Sequence, residues 1–231
     1  MTISLRRLTD IFLDIVFPPR CVGCGREGGY LCSMCRRSIP LLASPVCVRC
    51  GRFVSAQGLC VHCPSEPHAY DGIRSVAKFE GPLRDAIHAF KYEGLSALRG
   101  TLGELLAEGW TRFQPPGDVL VPVPLHARRM RERGYNQSLL LARELARHTG
   151  IPVLETALVR IRATVPQVGL DIQQRRANVI GAFHVCNDEI RDRAVLLIDD
   201  VYTTGATIDA CAETLRATGA LSIWALTLAY A

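Results

Sequence analysis

The strongest feature of the hydrophobic pattern is a run of four apolar residues at positions 195–198, which is followed by two acids and a hydroxyl-rich segment. A short uninterrupted apolar run is typical of a strand that is buried on both faces of a sheet. Apolar and small residues then recur at helical spacing from Ile208 to Leu215, and Gly219 marks the end of a helix. The pattern predicts a buried strand, a short loop and a helix, in that order.

The same alternation extends over most of the chain after residue 67. The predicted strands are residues 76–79, 118–124, 153–159, 183–185 and 222–229, and the predicted helices are residues 82–91, 96–110 and 138–149. Residues 125–137 are predicted to form a loop, and residues 160–178 show little apolar periodicity. Alternating strands and helices predict an α/β fold with a mostly parallel, Rossmann-like sheet and right-handed crossovers.

The loop after the buried strand has the composition of a ribose-phosphate site. Its hydroxyl groups and the unpaired amides at the start of the helix favour an anion, and its glycine lets a ligand approach the backbone. Asp199 and Asp200 precede it at the carboxyl end of the strand, where open α/β sheets bind their ligands. One site would then hold the hydroxyls of a pentose and its 5′-phosphate, whereas an acidic strand end before an ordinary capped helix is the alternative. The predicted phosphate-binding residues are Thr203, Thr204, Gly205, Ala206 and Thr207.

Arginines crowd the predicted loop at residues 125–137, where Arg128, Arg129, Arg131 and Arg133 face a single acid, Glu132. Each guanidinium can bind two oxygens at once, so such a cluster at the end of a strand favours a diphosphate ligand. For any one of these arginines, the alternative is a solvated basic surface.

Eight of the ten cysteines form four Cys-x-x-Cys pairs, which is the spacing of zinc knuckles. Seven residues separate the first two pairs and nine the last two, against eleven between the second and third, so neighbouring knuckles pair most simply, although an interleaved arrangement stays open. Two tetrahedral sites would use all eight thiolates, which predicts structural zinc; redox or disulfide cysteines are the alternative. The pairs are Cys21/Cys24, Cys32/Cys35, Cys47/Cys50 and Cys60/Cys63.

Net charge and the length of apolar runs narrow the class of protein, and the cysteine pattern divides the chain into domains. The 231 residues carry a net charge of +5, which suits an anionic partner, and no apolar run is long enough to span a membrane. Residues 1–17 are expected to be a short amphipathic helix and not a signal sequence. Residues 18–66 are expected to be a double zinc ribbon that depends on its metals for stability, and residues 67–231 the α/β domain.

Six motifs together carry a family resemblance. They are Pro-Pro-Arg-Cys-x-x-Cys at 18–24, Phe-Lys-Tyr-x-Gly at 90–94, Val-Pro-Val-Pro-Leu-His at 121–126, Arg-Gly-Tyr-Asn-Gln at 133–137, Thr-x-x-Gln at 164–167 and Asp-Asp-Val-Tyr-Thr-Thr-Gly-Ala-Thr at 199–207. The last resembles the binding motif of type I phosphoribosyltransferases for PRPP, which is 5-phosphoribosyl 1-diphosphate. This resemblance implies that residues 160–178 form a mobile flap that closes over PRPP and excludes water. The whole set resembles the ComF family of double-zinc-ribbon, phosphoribosyltransferase-like proteins.

The resemblance implies a type I phosphoribosyltransferase-like fold in a cytoplasmic bacterial protein that is linked to natural transformation or to DNA uptake, beside single-stranded DNA and a competence helicase. It also implies that PRPP or ribose 5-phosphate binds at Asp199 and Asp200, the catalytic acids, and at the loop that follows, with Mg²⁺ accompanying PRPP and Zn²⁺ in the ribbon. The residues that it places near the diphosphate are Arg128, Arg133, Gly134, Tyr135, Asn136 and Gln137.

Three hypotheses remain open at this point. The chain could be a phosphoribosyltransferase, although its acceptor is not identified, because only residues 70–113 are available to form a hood over a base. It could instead be a non-catalytic protein that binds single-stranded DNA or serves as an adaptor, as its arginines and zinc ribbons suggest. In the third hypothesis the ribbons are only a docking module.

Overall fold

The computed structural model describes residues 18–56, 58–61, 63, 68–163 and 172–231. The predicted N-terminal helix at residues 1–17 lies outside the described residues, and so do residues 64–67, where the predicted ribbon meets the α/β domain. So do Thr164 and Gln167 of the predicted flap.

The order of elements follows the predicted alternation of strands and helices. The strands are β1 Gly72–Lys78, β2 Val119–Pro122, β3 Leu158–Arg160, β4 Phe183–Val185, β5 Ala194–Tyr202 and β6 Ser222–Tyr230. The α-helices are α1 Ser33–Arg37, α2 Gly81–Tyr92, α3 Arg99–Phe113, α4 Ala127–Arg133, α5 Gln137–Thr149, α6 Ile172–Val179 and α7 Ala206–Ala217. Short 3₁₀ turns cover Ser96–Leu98, directly before α3, and Asp188–Ile190.

The main sheet has the strand order β1-β6-β5-β2, and all of its pairings are parallel. β5 lies between β2 and β6, and its register with β6 runs from Ala194 opposite Ser222 to Tyr202 opposite Tyr230. The carboxyl ends of these strands therefore meet at one edge of the sheet, which is where ligands bind in open α/β folds. This arrangement confirms the predicted α/β class with a mostly parallel sheet.

The two faces of the sheet pack against two separate apolar clusters. Residues 195–198 of β5 are fully buried and alternate between the clusters, with Val195 and Leu197 in one and Leu196 and Ile198 in the other. This alternation is the two-residue period of a strand that is covered on both sides. The first cluster includes α7 and the cysteines Cys47 to Cys63, and the second includes α2, α3, α5 and two earlier cysteines, Cys21 and Cys35.

Two predicted elements are wrong in part. The predicted loop at residues 125–137 contains helix α4, whose start is capped by His126 and whose end is closed by Gly134 with φ 81°. Arg128 and Glu132 are four residues apart and form an ion pair that stabilises this helix. Helix α4 has no buried residue, so its sequence lacks the apolar periodicity that would predict a helix.

The predicted strand at residues 153–159 is the second case. Only Leu158–Arg160 forms a strand there, and it pairs antiparallel with β4 in a separate two-stranded sheet. Val153 makes an isolated parallel bridge to Leu120, so the chain touches the edge of the main sheet before it turns away. Among the described residues, no helix is long and apolar enough to cross a membrane.

Candidate functional site

The two acids of the candidate site, Asp199 and Asp200, lie near the carboxyl end of β5, which ends at Tyr202. This is the end of the strand where open α/β sheets bind their ligands. The Lys91 ammonium, from the end of α2, lies 2.5 Å from the Asp200 carboxylate, and both side chains are largely buried. The Asp199 carboxylate accepts hydrogen bonds of 2.9 Å from the Ser138 hydroxyl and from the backbone N–H of Asp200. The two carboxylates are thus held by two different helices, α2 and α5.

The electrostatics of the two acids differ from those of ordinary surface carboxylates. Burial, and next the charge of Asp200, raise the pKa of Asp199 to about 7, while Lys91 and the two hydrogen bonds oppose this rise. A carboxyl group that titrates near neutral pH is unusual and is a common property of functional sites. Asp199 can therefore gain or lose its proton within the physiological pH range.

The loop that joins β5 to α7 is built around Gly205, which has φ 82° and occupies the N-cap position of the helix. The backbone N–H of Asp209 donates to the carbonyl of Gly205, so the helix begins directly after the glycine. The amide of Ala206 lies 3.4 Å from the Thr204 hydroxyl. The first amides of α7 therefore face this loop, which has the chemistry of an anion site.

The segment Arg133 to Gln137 connects α4 to α5 beside the acids. The guanidinium of Arg133 lies 5.2 Å from the ring centre of Tyr92; burial lowers its pKa, and the nearby Asp200 charge opposes that change. The Tyr135 hydroxyl donates to the carbonyl of Phe90, and the Asn136 side chain caps α5 and donates to the carbonyl of Val123. These side chains fix the position of α5 relative to the acids.

The other residues of the predicted diphosphate site differ in their surroundings. Gly134 closes α4 in the left-handed region, and Gln137 is 1% exposed with an amide nitrogen that has no hydrogen-bond partner among the described residues. Arg128 is exposed and bound to Glu132 on the outer surface of α4. The structure therefore brings Arg133 next to the acids and leaves Arg128 on the solvent side of the helix.

Three residues near the acids were not singled out by sequence analysis, namely Lys91, Ser138 and Arg160. Lys91 and Ser138 contact the carboxylates directly, and the charge of Asp199 acts on the largely buried Arg160. Lys91 lies within the Phe-Lys-Tyr-x-Gly motif, which was a usable signal. Ser138 and Arg160 have no such signal, because each meets Asp199 only through the fold.

The cysteines form two separate clusters in which neighbouring knuckles pair, so the interleaved alternative is wrong. Within each cluster all four sulfur atoms lie within 4.8 Å of one another. The sulfur separations of 3.6 to 3.7 Å are close to the spacing of about 3.8 Å that follows from four sulfurs at about 2.3 Å from one zinc ion. The first set, zinc ribbon 1, is Cys21, Cys24, Cys32 and Cys35, and the second, zinc ribbon 2, is Cys47, Cys50, Cys60 and Cys63.

In both ribbons the backbone favours the ionised form of cysteine. Burial favours the neutral thiol of Cys21, but backbone N–H groups that point at its sulfur lower its pKa to about 6. Cys47 holds the same place in zinc ribbon 2, with its pKa lowered to about 6 for the same reason. Because the thiolate is the form that binds zinc, this geometry fits two four-thiolate zinc sites, as predicted.

A groove of about 570 Å³ lies away from the acids, between zinc ribbon 1 and α3. Its charged groups are already paired, because the guanidinium of Arg36 binds Glu104 at 2.8 Å and Glu108 at 2.5 Å. This groove is therefore a crevice beside the contact that attaches zinc ribbon 1 to α3.

Comparisons with known proteins agree with this organisation. A family model described as a double zinc ribbon domain matches residues 12–64. Competence protein F of Haemophilus influenzae is 32% identical to the chain over 224 residues, which cover 90% of this chain and 96% of that protein. The DNA utilization protein YhgH of Escherichia coli K12 is 33% identical over 85% of this chain and 89% of its own length. ComFC of Bacillus subtilis is 28% identical over 86% of this chain and 83% of its own length.

Two solved structures align with part of the chain at lower similarity. Glutamine phosphoribosylpyrophosphate amidotransferase from B. subtilis aligns with a TM-score of 0.42 and 20% identity, over 61% of this chain and 30% of that chain. A purine phosphoribosyltransferase from Pyrococcus horikoshii aligns with a TM-score of 0.35 and 18% identity, over 56% and 70% of the two chains. The assignment to a family rests instead on the sequence relatives, which match over most of their length. The chain therefore belongs to the ComF family, which includes Competence protein F, ComFC and the DNA utilization protein YhgH.

Proposed function

We propose that this chain binds a 5-phosphorylated pentose, PRPP or ribose 5-phosphate, at the carboxyl edge of its parallel sheet. One observation carries the proposal: the acid pair at the end of β5 is followed directly by a hydroxyl-rich loop at the start of α7. The first group suits sugar hydroxyls and the second suits a phosphate, in the order in which a pentose 5-phosphate presents them.

The acid end of this site consists of Asp199 and Asp200, which accept hydrogen bonds from the ribose hydroxyls. Their positions are fixed by Ser138 and Lys91, which bind one carboxylate each. Hydrogen bonds to an ionised acceptor are stronger than neutral ones, and they are stronger still in a partly buried site. Ribose recognition therefore depends on the ionised state of the acids.

The loop end consists of residues 203–207 and binds the 5′-phosphate through backbone amides and threonine hydroxyls. Gly205 is buried, and its left-handed conformation shapes the turn that precedes α7. An anion at the N-terminus of a helix is further favoured by the helix dipole.

The diphosphate of PRPP would lie beside Arg133, which already acts electrostatically on Asp200. Mg²⁺ prefers oxygen ligands and is commonly bound through substrate phosphates. In the described part of the chain, the two cysteine sets are the clusters of three or more side chains that could hold a metal ion. Mg²⁺ would therefore enter the site mainly as a complex with the diphosphate.

The chemistry that suits such a ligand is the replacement of diphosphate at C1 of the ribose by an acceptor. C1 would pass through a positively charged state, which the two carboxylates stabilise, while Arg133 binds the departing diphosphate. Mg²⁺, when it is bound, would neutralise charge on that leaving group.

The biological setting that we propose follows from the relatives, which are named as competence and DNA utilization proteins. We propose that the chain acts in the uptake or use of DNA, in the cytoplasm, where thiols are kept reduced or bound to metal.

Isothermal titration with ribose 5-phosphate and with PRPP, each with and without Mg²⁺, tests the binding proposal. A combined Asp199→Asn and Asp200→Asn variant should lose affinity by about a hundredfold or more, because two charge-assisted acceptors are removed. Asp188→Asn, which changes an exposed acid outside the site, is the matched control and should bind like the unchanged protein. Equal affinity of the combined variant and the control would refute the assignment of the acids.

A second candidate function is binding of single-stranded DNA, and exposed arginines on α4 favour it. Arg128 and Arg131 are exposed to solvent, and neither belongs to the acid pair or to the loop at residues 203–207. Contacts of this kind to phosphates release counterions, so affinity for an oligonucleotide should fall steeply as salt is raised. Arg128→Ala and Arg131→Ala together should reduce that salt slope and leave ribose 5-phosphate binding unchanged; an affinity that does not vary with salt would exclude this function.

A further inference from the structure

The two zinc ribbons attach to different parts of the molecule. Zinc ribbon 1 shares an apolar cluster with α2 and α3, whereas all four cysteines of zinc ribbon 2 share a cluster with Tyr70, Tyr202 and Ala206. Cys24 of zinc ribbon 1 is exposed, while each cysteine of zinc ribbon 2 is at most 9% exposed. Zinc ribbon 2 is therefore part of the core that lies under the loop at residues 203–207.

Close backbone contacts join zinc ribbon 2 to β1. The N–H of Ile73 donates to the carbonyl of Arg49 at 2.7 Å, and the Arg74 guanidinium donates to the carbonyl of Val48. Gly51 approaches the strand so closely that a Cβ atom there would lie 2.5 Å from the carbonyl oxygen of Ile73. A knuckle in such contact with the strand cannot move without disturbing it.

The residues that follow zinc ribbon 2 continue this contact to α7. The Asp209 carboxylate, in the first turn of α7, accepts a hydrogen bond of 2.8 Å from the N–H of Ala69. Its second oxygen lies 3.6 Å from the imidazole of His68, and that ring stacks on Tyr70 with 4.7 Å between ring centres. Residues 68–70 are thus fixed to the start of the helix.

Two tyrosines form the surface on which the loop glycine rests. A Cβ atom on Gly205 would lie 2.9 Å from the Tyr202 ring and 3.6 Å from the hydroxyl oxygens of both Tyr202 and Tyr70. The Tyr202 ring also packs against Tyr230, with 5.6 Å between ring centres. The guanidinium of Arg52, which follows the Cys47/Cys50 knuckle of zinc ribbon 2, lies 5.7 Å from the ring centre of Tyr230. The left-handed turn at Gly205 is therefore supported by side chains that zinc ribbon 2 holds in place.

We propose that zinc ribbon 2, acting through Tyr70 and Tyr202, positions the phosphate-binding loop, so that affinity for a phosphorylated ligand depends on the metal of zinc ribbon 2 and not on that of zinc ribbon 1. As an inference about ligand affinity it rests on the proposed function of the loop. The tyrosines are positioning residues, because they act through the backbone conformation of Gly205.

The matched pair of variants that tests this proposal removes the last two cysteines of each ribbon in the whole 231-residue chain. Cys60→Ser with Cys63→Ser should lower zinc content from two ions to one and weaken ribose 5-phosphate binding by about tenfold or more. Cys32→Ser with Cys35→Ser should lose one zinc ion as well and keep its affinity within about twofold. Equal losses of affinity in the two variants would overturn the proposal.

A second pair of variants leaves all eight zinc-binding cysteines unchanged and tests whether packing of the Tyr202 ring positions the loop. Tyr202→Ala removes the surface under Gly205 and should weaken binding by about tenfold, whereas Tyr202→Phe keeps the ring and should stay within about threefold. If Tyr202→Ala binds as tightly as Tyr202→Phe, the ring does not position the loop.

Hydrogen exchange of the peptide that spans residues 203–208 gives a readout that needs no ligand. Exchange should become faster in the zinc ribbon 2 variant and stay unchanged in the zinc ribbon 1 variant. If the unchanged protein binds no ribose 5-phosphate but exchange shows this difference, the proposed function fails and the positioning role stands. Identical exchange in both variants would refute the positioning role itself.

Discussion

The acid end of the candidate site, Asp199 and Asp200, and its loop end, residues 203–207, differ in how they are built. The acid end consists of charged side chains, which Lys91 and Ser138 hold from two separate helices. The loop end consists mainly of backbone, whose turn at Gly205 rests on Tyr202 and on the core around zinc ribbon 2. Recognition at the acid end should therefore respond to charge and pH, and recognition at the loop end to shape.

This difference matters for stability as well as for binding. A buried ion pair costs desolvation energy that its attraction does not always repay, and removal of one partner leaves an unpaired charge. A left-handed turn occupied by glycine costs little until a side chain is added. Variants at the acid end should therefore lose stability because a charge is left unpaired, and variants at the loop end because the backbone is strained.

Loss of the Lys91 charge should have the largest effect on stability. Lys91→Met leaves the Asp200 carboxylate without its partner, and the free energy of unfolding should fall by about 2–3 kcal/mol, a value reduced from that of fully buried pairs because Lys91 is partly exposed. Denaturant unfolding measures this change. Asp200→Asn added to Lys91→Met should recover most of the loss, and Arg128→Met, which breaks an exposed pair, should leave stability nearly unchanged.

A change of shape at the loop end should come next. Gly205→Ala places a Cβ atom 2.9 Å from Tyr202 and strains a residue at φ 82°, so stability should fall by about 1–2 kcal/mol and ribose 5-phosphate affinity by about tenfold or more. Gly181→Ala is the matched control, because Gly181 has φ 63° with open space around it. If both variants bind the ligand equally well, the shape of the loop end does not determine affinity.

A pH series should separate the two ends further. The pKa of Asp199 is raised from 3.8 to about 7, chiefly by burial, so the stability associated with its neutral form is complete below about pH 4 and is lost as the pH rises through 7. Asp199→Asn should therefore be more stable than the unchanged protein at about pH 8, and this advantage should shrink towards about pH 5. Thermal unfolding at both pH values checks the sign, and an advantage that grows towards low pH would contradict it.

Removal of one hydroxyl at the loop end should have the smallest effect. The Thr204 hydroxyl lies 3.4 Å from the amide of Ala206, which is a long contact, and Thr204→Val keeps the shape of the side chain. Affinity for inorganic phosphate should fall by no more than about threefold to fivefold, and stability should change by less than about 1 kcal/mol. A larger loss, by titration calorimetry, would mean that the hydroxyl and not the backbone dominates the loop end.

The sequence predicted the elements whose signal is local. The apolar run at 195–198 indicated the central strand, which extends as β5 to Tyr202, and the Cys-x-x-Cys spacing indicated both metal sites. Helix α4 was missed because it buries no residue, although Gly134 and the Arg128–Glu132 spacing are helix signals. The apolar residues at 153–159 resembled a strand of the main sheet because Val153 and Leu154, which are half-buried, pack at the edge of that sheet before the chain turns away.

The contacts that define the site could not be predicted from local pattern. Lys91 meets Asp200, and Ser138 meets Asp199, only after α2 and α5 have packed on the same face of the sheet. The raised pKa of Asp199 also depends on burial by distant parts of the chain. The sequence therefore indicated which side chains form the site. The partners of the two acids and the raised pKa of Asp199 could be seen only in the folded structure.

A crystal structure of the protein with ribose 5-phosphate tests most directly whether both ends hold one ligand. The expected result is a set of phosphate oxygens within about 3.2 Å of amides in residues 205–207, with sugar hydroxyls within a similar distance of the Asp199 and Asp200 carboxylates. A phosphate bound instead to the exposed arginines of α4, with the two acids still bonded only to Lys91 and Ser138, would contradict it.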